Sequence, residues 1–267
     1  MRRERLEIGW YALRPFLIYM VLFITIRAIL YRLLESALLS ASADMVIFYD
    51  MWSAAADILI IGISSAGAAV PILGEGRREV LITRSRSRRA WITGRKDSGF
   101  LIGLLPAGTV FLCAFLNLVL SPPSPGSAAA PVAAAVPVGA AVYGILTPFV
   151  EELLFRGIVW HRLRRGFTPL ESAFFSSLLF GISHENIPQG IYGFTMGMVF
   201  ALSYELTRRF EVPFLLHCTC NLAVLTASAA GWGSVLTSPM WILFFAAGSA
   251  AVFGYLGHIL HKSGFRL

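Results

Sequence analysis

Two adjacent carboxylates stand inside an apolar run, Pro148-Phe-Val-Glu151-Glu152-Leu-Leu-Phe-Arg156. Ionisable groups in such a setting are costly, and they mark functional sites or buried pairs. Arg156 follows Glu152 by four residues, the spacing at which side chains meet along one helix face. That pairing keeps Glu152 charged and structural. It leaves Glu151, about 100° round the helix, free to face something else. Pro148 has no N–H, so the carbonyl of Gly144 loses its helical donor and a kink is expected just before the pair. A second apolar run ends Phe180-Gly-Ile-Ser-His184, and a third opens Phe214-Leu-Leu-His217-Cys-Thr-Cys-Asn221. His217 and Asn221, four apart, stack on one helix face, and Phe180 and His184 share the spacing. Each histidine alone also reads as a hydrogen-bonded packing residue. Together, a carboxylate, two imidazoles and an amide are the groups that acid–base chemistry on a polar substrate requires. Glu151, His184 and His217 are equally the residue types for three ligands of a Zn²⁺ with one open position.

The elements that must position these residues are membrane helices. Of 267 residues, 57% are hydrophobic and 14% charged, whereas a soluble domain carries about 25% charge. The chain lacks the polar surface for a water-facing globule, which excludes a typical cytosolic enzyme, a disordered protein and a nucleic-acid-binding domain. A spanning helix needs about 20 mostly apolar residues. Candidates lie at about 15–39, 46–73, 100–120, 132–160, 170–187, 190–207, 212–230 and 239–260. The fifth and sixth are short and read as a hairpin about the Asn186–Gly190 turn. The net charge of +7 falls on alternate connections: Arg2, Arg3 and Arg5; Arg77 to Lys96; Arg162, Arg164 and Arg165; Arg208 and Arg209; Lys262 and Arg266. The intervening connections, 40–45, 121–131, 186–190 and 231–238, hold no Lys or Arg. The positive-inside rule then places both termini in the cytoplasm. The fold class is an all-α polytopic membrane protein with about eight transmembrane helices. It divides into N-terminal helices over 1–131, a helical core over 132–230 and a C-terminal helix over 231–267. The basic loop 74–99 reads as a topology determinant, or as a patch for anionic lipid. Within the first two spans, Arg32 and Glu35 can pair, and Asp50 and Asp57 share a face that could meet Arg27.

Three motifs together resemble the CPBP family of intramembrane proteases, the CAAX prenyl protease and bacteriocin-processing group, also called the Abi family. They are E-E-x-x-x-R at Glu151, Glu152 and Arg156; F-x-x-x-H at Phe180 and His184; and H-x-x-x-N at His217 and Asn221. They occur in order on separate apolar segments within about 145–225. The resemblance implies hydrolysis of a peptide bond within the membrane. By it, Glu151 and His184 hold and activate the attacking water, His217 and Asn221 stabilise the oxyanion, and Glu152 and Arg156 brace the site. The chemistry agrees: a carboxylate in an apolar cavity is a stronger base, and the paired donors suit an oxyanion.

No cofactor is expected on this reading. The zinc alternative, with Glu151, His184 and His217 as ligands, lacks the helical H-E-x-x-H signature. Cys113, Cys218 and Cys220 read as small apolar packing residues, and Gly193 and Gly197 as a close helix contact. The expected partners are a membrane-associated protein or peptide substrate and the lipid bilayer, with no nucleic acid and no oligomeric state specified. The expected location is a bacterial inner membrane. A non-catalytic scaffold of the same fold and a proton-coupled transporter are the rival readings. Against the transporter stands the absence of an internal repeat.

Overall fold

The computed structural model describes residues 2–86, 98–120, 129–184, 186–236 and 238–262, and all regular elements within them are helices. Helix α1 (Arg2–Leu39) and α2 (Ala43–Arg86) form a long antiparallel pair. Helix α3 (Ser98–Leu120) packs against the last long helix, α8 (Pro239–Lys262). Between them lies α4, which changes pitch along its length. It runs α-helically over Ala129–Ala141, widens to a π-helix over Val142–Leu146, returns over Thr147–Glu152, widens again over Leu153–Trp160 and closes over His161–Leu163. Helices α5 (Pro169–Ile182), α6 (Ile187–Thr207) and α7 (Glu211–Ala229) complete the core, and a single turn, Gly233–Leu236, precedes α8. Among the described residues, six helices are long and apolar enough to cross a membrane: α1, α2, α3, α4, α7 and α8. The two short segments of the expected hairpin are α5, with 14 residues, and α6, with 21.

Element limits follow local chemistry. Helix α5 opens with Pro169 at its first position and a capping box, in which the Thr168 hydroxyl accepts from Glu171 N–H at 3.2 Å and the Glu171 carboxylate accepts from Thr168 N–H at 2.8 Å. Helix α6 opens at Asn186, whose side chain accepts from Gln189 N–H at 2.9 Å, with Pro188 in the first turn. The expected hairpin turn at 186–190 is therefore already helical. Helix α5 stops at Ile182 instead of about 187, leaving His184 in the connection. Helix α2 likewise runs on to Arg86, so the first half of the expected loop 74–99 is helix; the rest, with most of the connection at 121–131, lies outside the described residues.

Two apolar cores flank a polar seam. One joins Phe16 and Tyr19 of α1, Ala68 and Ile72 of α2, Leu154, Phe155 and Ile158 of α4, and Phe180 of α5. The other joins Cys113 of α3, Met196 and Phe200 of α6, Leu216 and Cys220 of α7, and Leu256 of α8. The charged connections meet at one end of the bundle. Arg162 bonds Glu75, Arg165 bonds Glu79 at 2.9 Å, Arg5 bonds Glu171 at 2.8 Å, and Arg164 lies 3.6 Å from Glu205, which also binds Arg208. At the other end Arg32 pairs with Glu35 at 3.1 Å, while Asp57 accepts from the Tyr31 hydroxyl at 3.3 Å.

Candidate active site

Glu152 anchors the seam. Its carboxylate is wholly buried, and one oxygen accepts both from Arg156 Nη1 at 2.9 Å and from His217 Nδ1 at 3.0 Å. Arg156, also wholly buried, donates its other terminal nitrogen to the Gly197 carbonyl at 2.8 Å. Its guanidinium is framed by the rings of Phe180 and Phe200 at 5.2 and 5.5 Å. The i, i+4 pairing read from the sequence is present, and it continues outward to α7 and α6. Glu151 is on the adjacent face. Its side chain keeps 18% of its surface where Glu152 keeps none, so of the two only Glu151 is open to a water molecule.

His217 lies between the two carboxylates, with Nε2 3.6 Å from Glu151 and Nδ1 on Glu152. A carboxylate partner makes Nδ1 the donor. The imidazole stacks on Phe200 at 4.8 Å and meets the edge of Phe180 at 5.7 Å. His184 is fixed differently. Its Nδ1 is 2.8 Å from the Phe180 carbonyl, and a carbonyl can only accept, so the proton of neutral His184 is on Nδ1 and Nε2 carries the lone pair. Its ring stands edge-on to Phe180 at 5.0 Å. The carboxylate of Glu151 interacts electrostatically with His217 first and with His184 second. Asn221, one turn beyond His217, donates from Nδ2 to the Tyr143 carbonyl at 2.8 Å.

All six residues singled out in the sequence thus face one seam. The α6–α7 turn sets the level at which α7 joins them. Phe210 there stands against Phe149, with ring centroids 6.1 Å apart, two residues before Glu151. Helix α7 therefore enters the bundle near the level of the pair, and His217, six residues into α7, reaches it. Sequence reasoning missed several contributors. Phe200 carries no motif signal, yet it is the plate under His217. Gly193 and Gly197, read only as a helix contact, also shape the site: a Cβ on Gly193 would come within 2.8 Å of the His184 ring, and Gly197 supplies the carbonyl to Arg156. A π-helical turn, Val142–Leu146, lies just before the pair, and within it the Tyr143 carbonyl accepts from Asn221.

Nδ1 of His217 faces Glu152 and Nδ1 of His184 a backbone carbonyl, a pattern that orients each Nε2 toward a water or a metal ion alike. Among the described residues no three His, Cys, Asp or Glu side chains converge as a ligand set. The three cysteines are free and buried, as packing residues would be.

Residues 133–223 match the family model described as Type II CAAX prenyl endopeptidase Rce1-like. A curated relative, "Putative membrane peptidase YdiL" of Bacillus subtilis (strain 168), is 27% identical over 157 residues; the match covers 55% of this chain and 64% of the relative, just under two thirds of its length. No solved structure matches the chain. The matched segment contains all three motifs and every residue of the seam named above except those α1 and α2 contribute to its flanking core, and through it this integral membrane protein resembles the CPBP family over about a third of its length.

Proposed function

We propose that the protein is an intramembrane endopeptidase that hydrolyses a peptide bond of a membrane-associated protein or peptide. The observation that carries this reading is His217 held between a wholly buried Glu152 and a partly open Glu151. Glu151 takes a proton from a water molecule whose other hydrogen is directed to Nε2 of His184. The oxygen attacks the scissile carbonyl carbon, and the resulting oxyanion accepts hydrogen bonds from His217 Nε2 and Asn221 Nδ2. The tetrahedral intermediate collapses with cleavage of the C–N bond, and the proton on Glu151 passes to the departing amine. Because Nδ1–H of His217 already goes to Glu152, donation from Nε2 requires the imidazole to carry both protons. Glu152 accepts that Nδ1–H, and Arg156, itself bonded to the Gly197 carbonyl, holds Glu152 in place. No metal takes part, and the enzyme acts in a bacterial inner membrane with both termini in the cytoplasm.

The test is a comparison of membrane peptides from a strain carrying Glu151→Gln with those from wild type. Peptides that cease to be trimmed in the variant identify the substrate and its cleavage site. Identical peptide profiles, with equal protein levels, would favour the scaffold reading.

A further inference from the structure

One side of the seam is built by helices that carry none of the three motifs. Helix α1 runs antiparallel to α4, in a register set by three contacts. Arg5 Nε donates to the Gly166 carbonyl at 3.0 Å, Arg162 Nη1 donates to the Tyr11 carbonyl at 2.9 Å, and the rings of Phe16 and Phe155 stand 5.9 Å apart. Each step forward on α1 is a step back on α4, so Tyr19, three residues beyond Phe16, comes level with the glutamate pair. Its hydroxyl interacts electrostatically with the Glu151 carboxylate and lies 3.1 Å from Ser65 Oγ of α2. Ser65 is wholly buried, and among the described residues its hydroxyl bonds Tyr19. As an acceptor, Ser65 would keep its own proton buried without a partner, so Ser65 donates and the Tyr19 oxygen accepts. The Tyr19 O–H then remains to donate toward Glu151.

The attacking water of the proposed mechanism gives one hydrogen to Glu151 and directs the other to His184 Nε2. One lone pair of its oxygen attacks, and the other remains to accept. We propose that Tyr19 is a further catalytic residue: its O–H donates to that second lone pair, so that the attacking lone pair has one direction, and Ser65 is the positioning residue that keeps the Tyr19 O–H turned into the seam. This rests on the peptidase reading above. Fixing the orientation of a reactant before the chemical step lowers the barrier without tightening the hold on the substrate.

The chain has eight tyrosines, so ¹³Cζ-tyrosine labelling of the full-length protein in micelles resolves them by ring carbon, and the Tyr19 signal is assigned by its loss in Tyr19→Phe. In equal parts of light and heavy water, a hydroxyl that touches water exchanges rapidly and gives one averaged line, whereas a sealed hydroxyl gives two. Tyr19 is expected to give one averaged line, and that line is expected to shift in Ser65→Ala. Two lines overturn the water contact, and an unmoved line in Ser65→Ala overturns the bond, whatever the turnover. On an internally quenched farnesylated peptide, Tyr19→Phe is expected to lower kcat about five- to tenfold, the size of one net hydrogen bond, with KM within about twofold. Ser65→Ala is expected to lower kcat less, and to have no further effect in a Tyr19→Phe background. An unchanged kcat in Tyr19→Phe, or a raised KM in its place, overturns the catalytic role. An equal fall on Ser65→Ala in both backgrounds overturns the positioning role. Wild-type turnover no higher than that of Glu151→Gln would instead sink the peptidase reading and leave the hydroxyl exchange to decide whether Tyr19 meets water. Should Tyr19→Phe accumulate poorly because Ser65 loses its partner, Tyr19→Phe with Ser65→Ala removes both hydroxyls together and is compared with Ser65→Ala alone.

Discussion

At the scale of single residues, the proposed mechanism gives adjacent glutamates different tasks because one is sealed and the other is open. Glu152 has no exposed surface and shares its charge with Arg156 and His217. Arg156→Ala would leave that carboxylate buried without its guanidinium, a loss of about 3–5 kcal/mol, and folded yield in micelles should fall along with activity. Glu151→Gln keeps the size and the hydrogen-bonding capacity of a partly open side chain; activity should be lost with yield and melting behaviour near wild type. Equal loss of yield in the two variants would refute this division. Asn221→Ala should reduce kcat by about 10²–10³-fold, the typical cost of one oxyanion donor, with a smaller change in KM because the oxyanion exists only near the transition state. On the metal-free mechanism, purified protein should keep its activity through prolonged chelation. About one zinc per chain, with activity lost on chelation and restored by zinc, would replace the glutamate mechanism by a metal one.

At the scale of elements, the site depends on helices that depart from regular geometry or approach each other closely. Helix α4 widens on both sides of Thr147–Glu152, which turns the glutamate pair relative to the flanking apolar faces without breaking the helix. Helices α5 and α6 meet so tightly that a Cβ on Gly181 would come within 2.7 Å of the Gly190 carbonyl, and one on Gly193 within 2.8 Å of the His184 imidazole. Gly193→Ala should therefore displace His184 while α5 and α6 stay packed. Its expected signature is a fall in kcat of about 10²-fold, the cost of misplacing a catalytic group by about 1 Å, with unchanged helical content by circular dichroism. Retention of full activity would show that His184 has room to move or no part in the reaction. The glycine spacing was visible in the chain, but its second use was not, because only the position of His184 just beyond the end of α5 puts an imidazole opposite it.

At the scale of the whole molecule, two apolar cores enclose one polar seam, and the charged connections gather at one end. Arg162 and Arg165 are both placed near the Tyr11 ring, at 3.9 and 5.3 Å, and tie the ends of α1, α2 and α4 together. The proposed orientation, argued from loop charge, has this end in the cytoplasm. Single cysteines at Ser40, between α1 and α2, and at Arg209, between α6 and α7, lie at opposite ends of the bundle and are exposed. In intact spheroplasts an impermeant maleimide should label Ser40→Cys, and should reach Arg209→Cys only after permeabilisation, with the buried native thiols as background. The reverse pattern would invert the orientation, and labelling of both from one side would contradict the arrangement of helices between them.

The amino-acid sequence by itself determined the helices, the segregation of charge among their connections, and the contacts made within one helix, such as Glu152 with Arg156. These are local consequences of hydropathy and of a 3.6-residue repeat. It also determined which residue types were present for the chemistry. Only the tertiary structure decided that His217 stands between two carboxylates, that Phe200 lies beneath it, that Asn221 takes the Tyr143 carbonyl, and that α5 ends before His184. Each of these depends on the relative depth and rotation of two or more helices. That relation is set by close packing of small and aromatic side chains between segments distant in the chain, and no periodicity within a single segment encodes it.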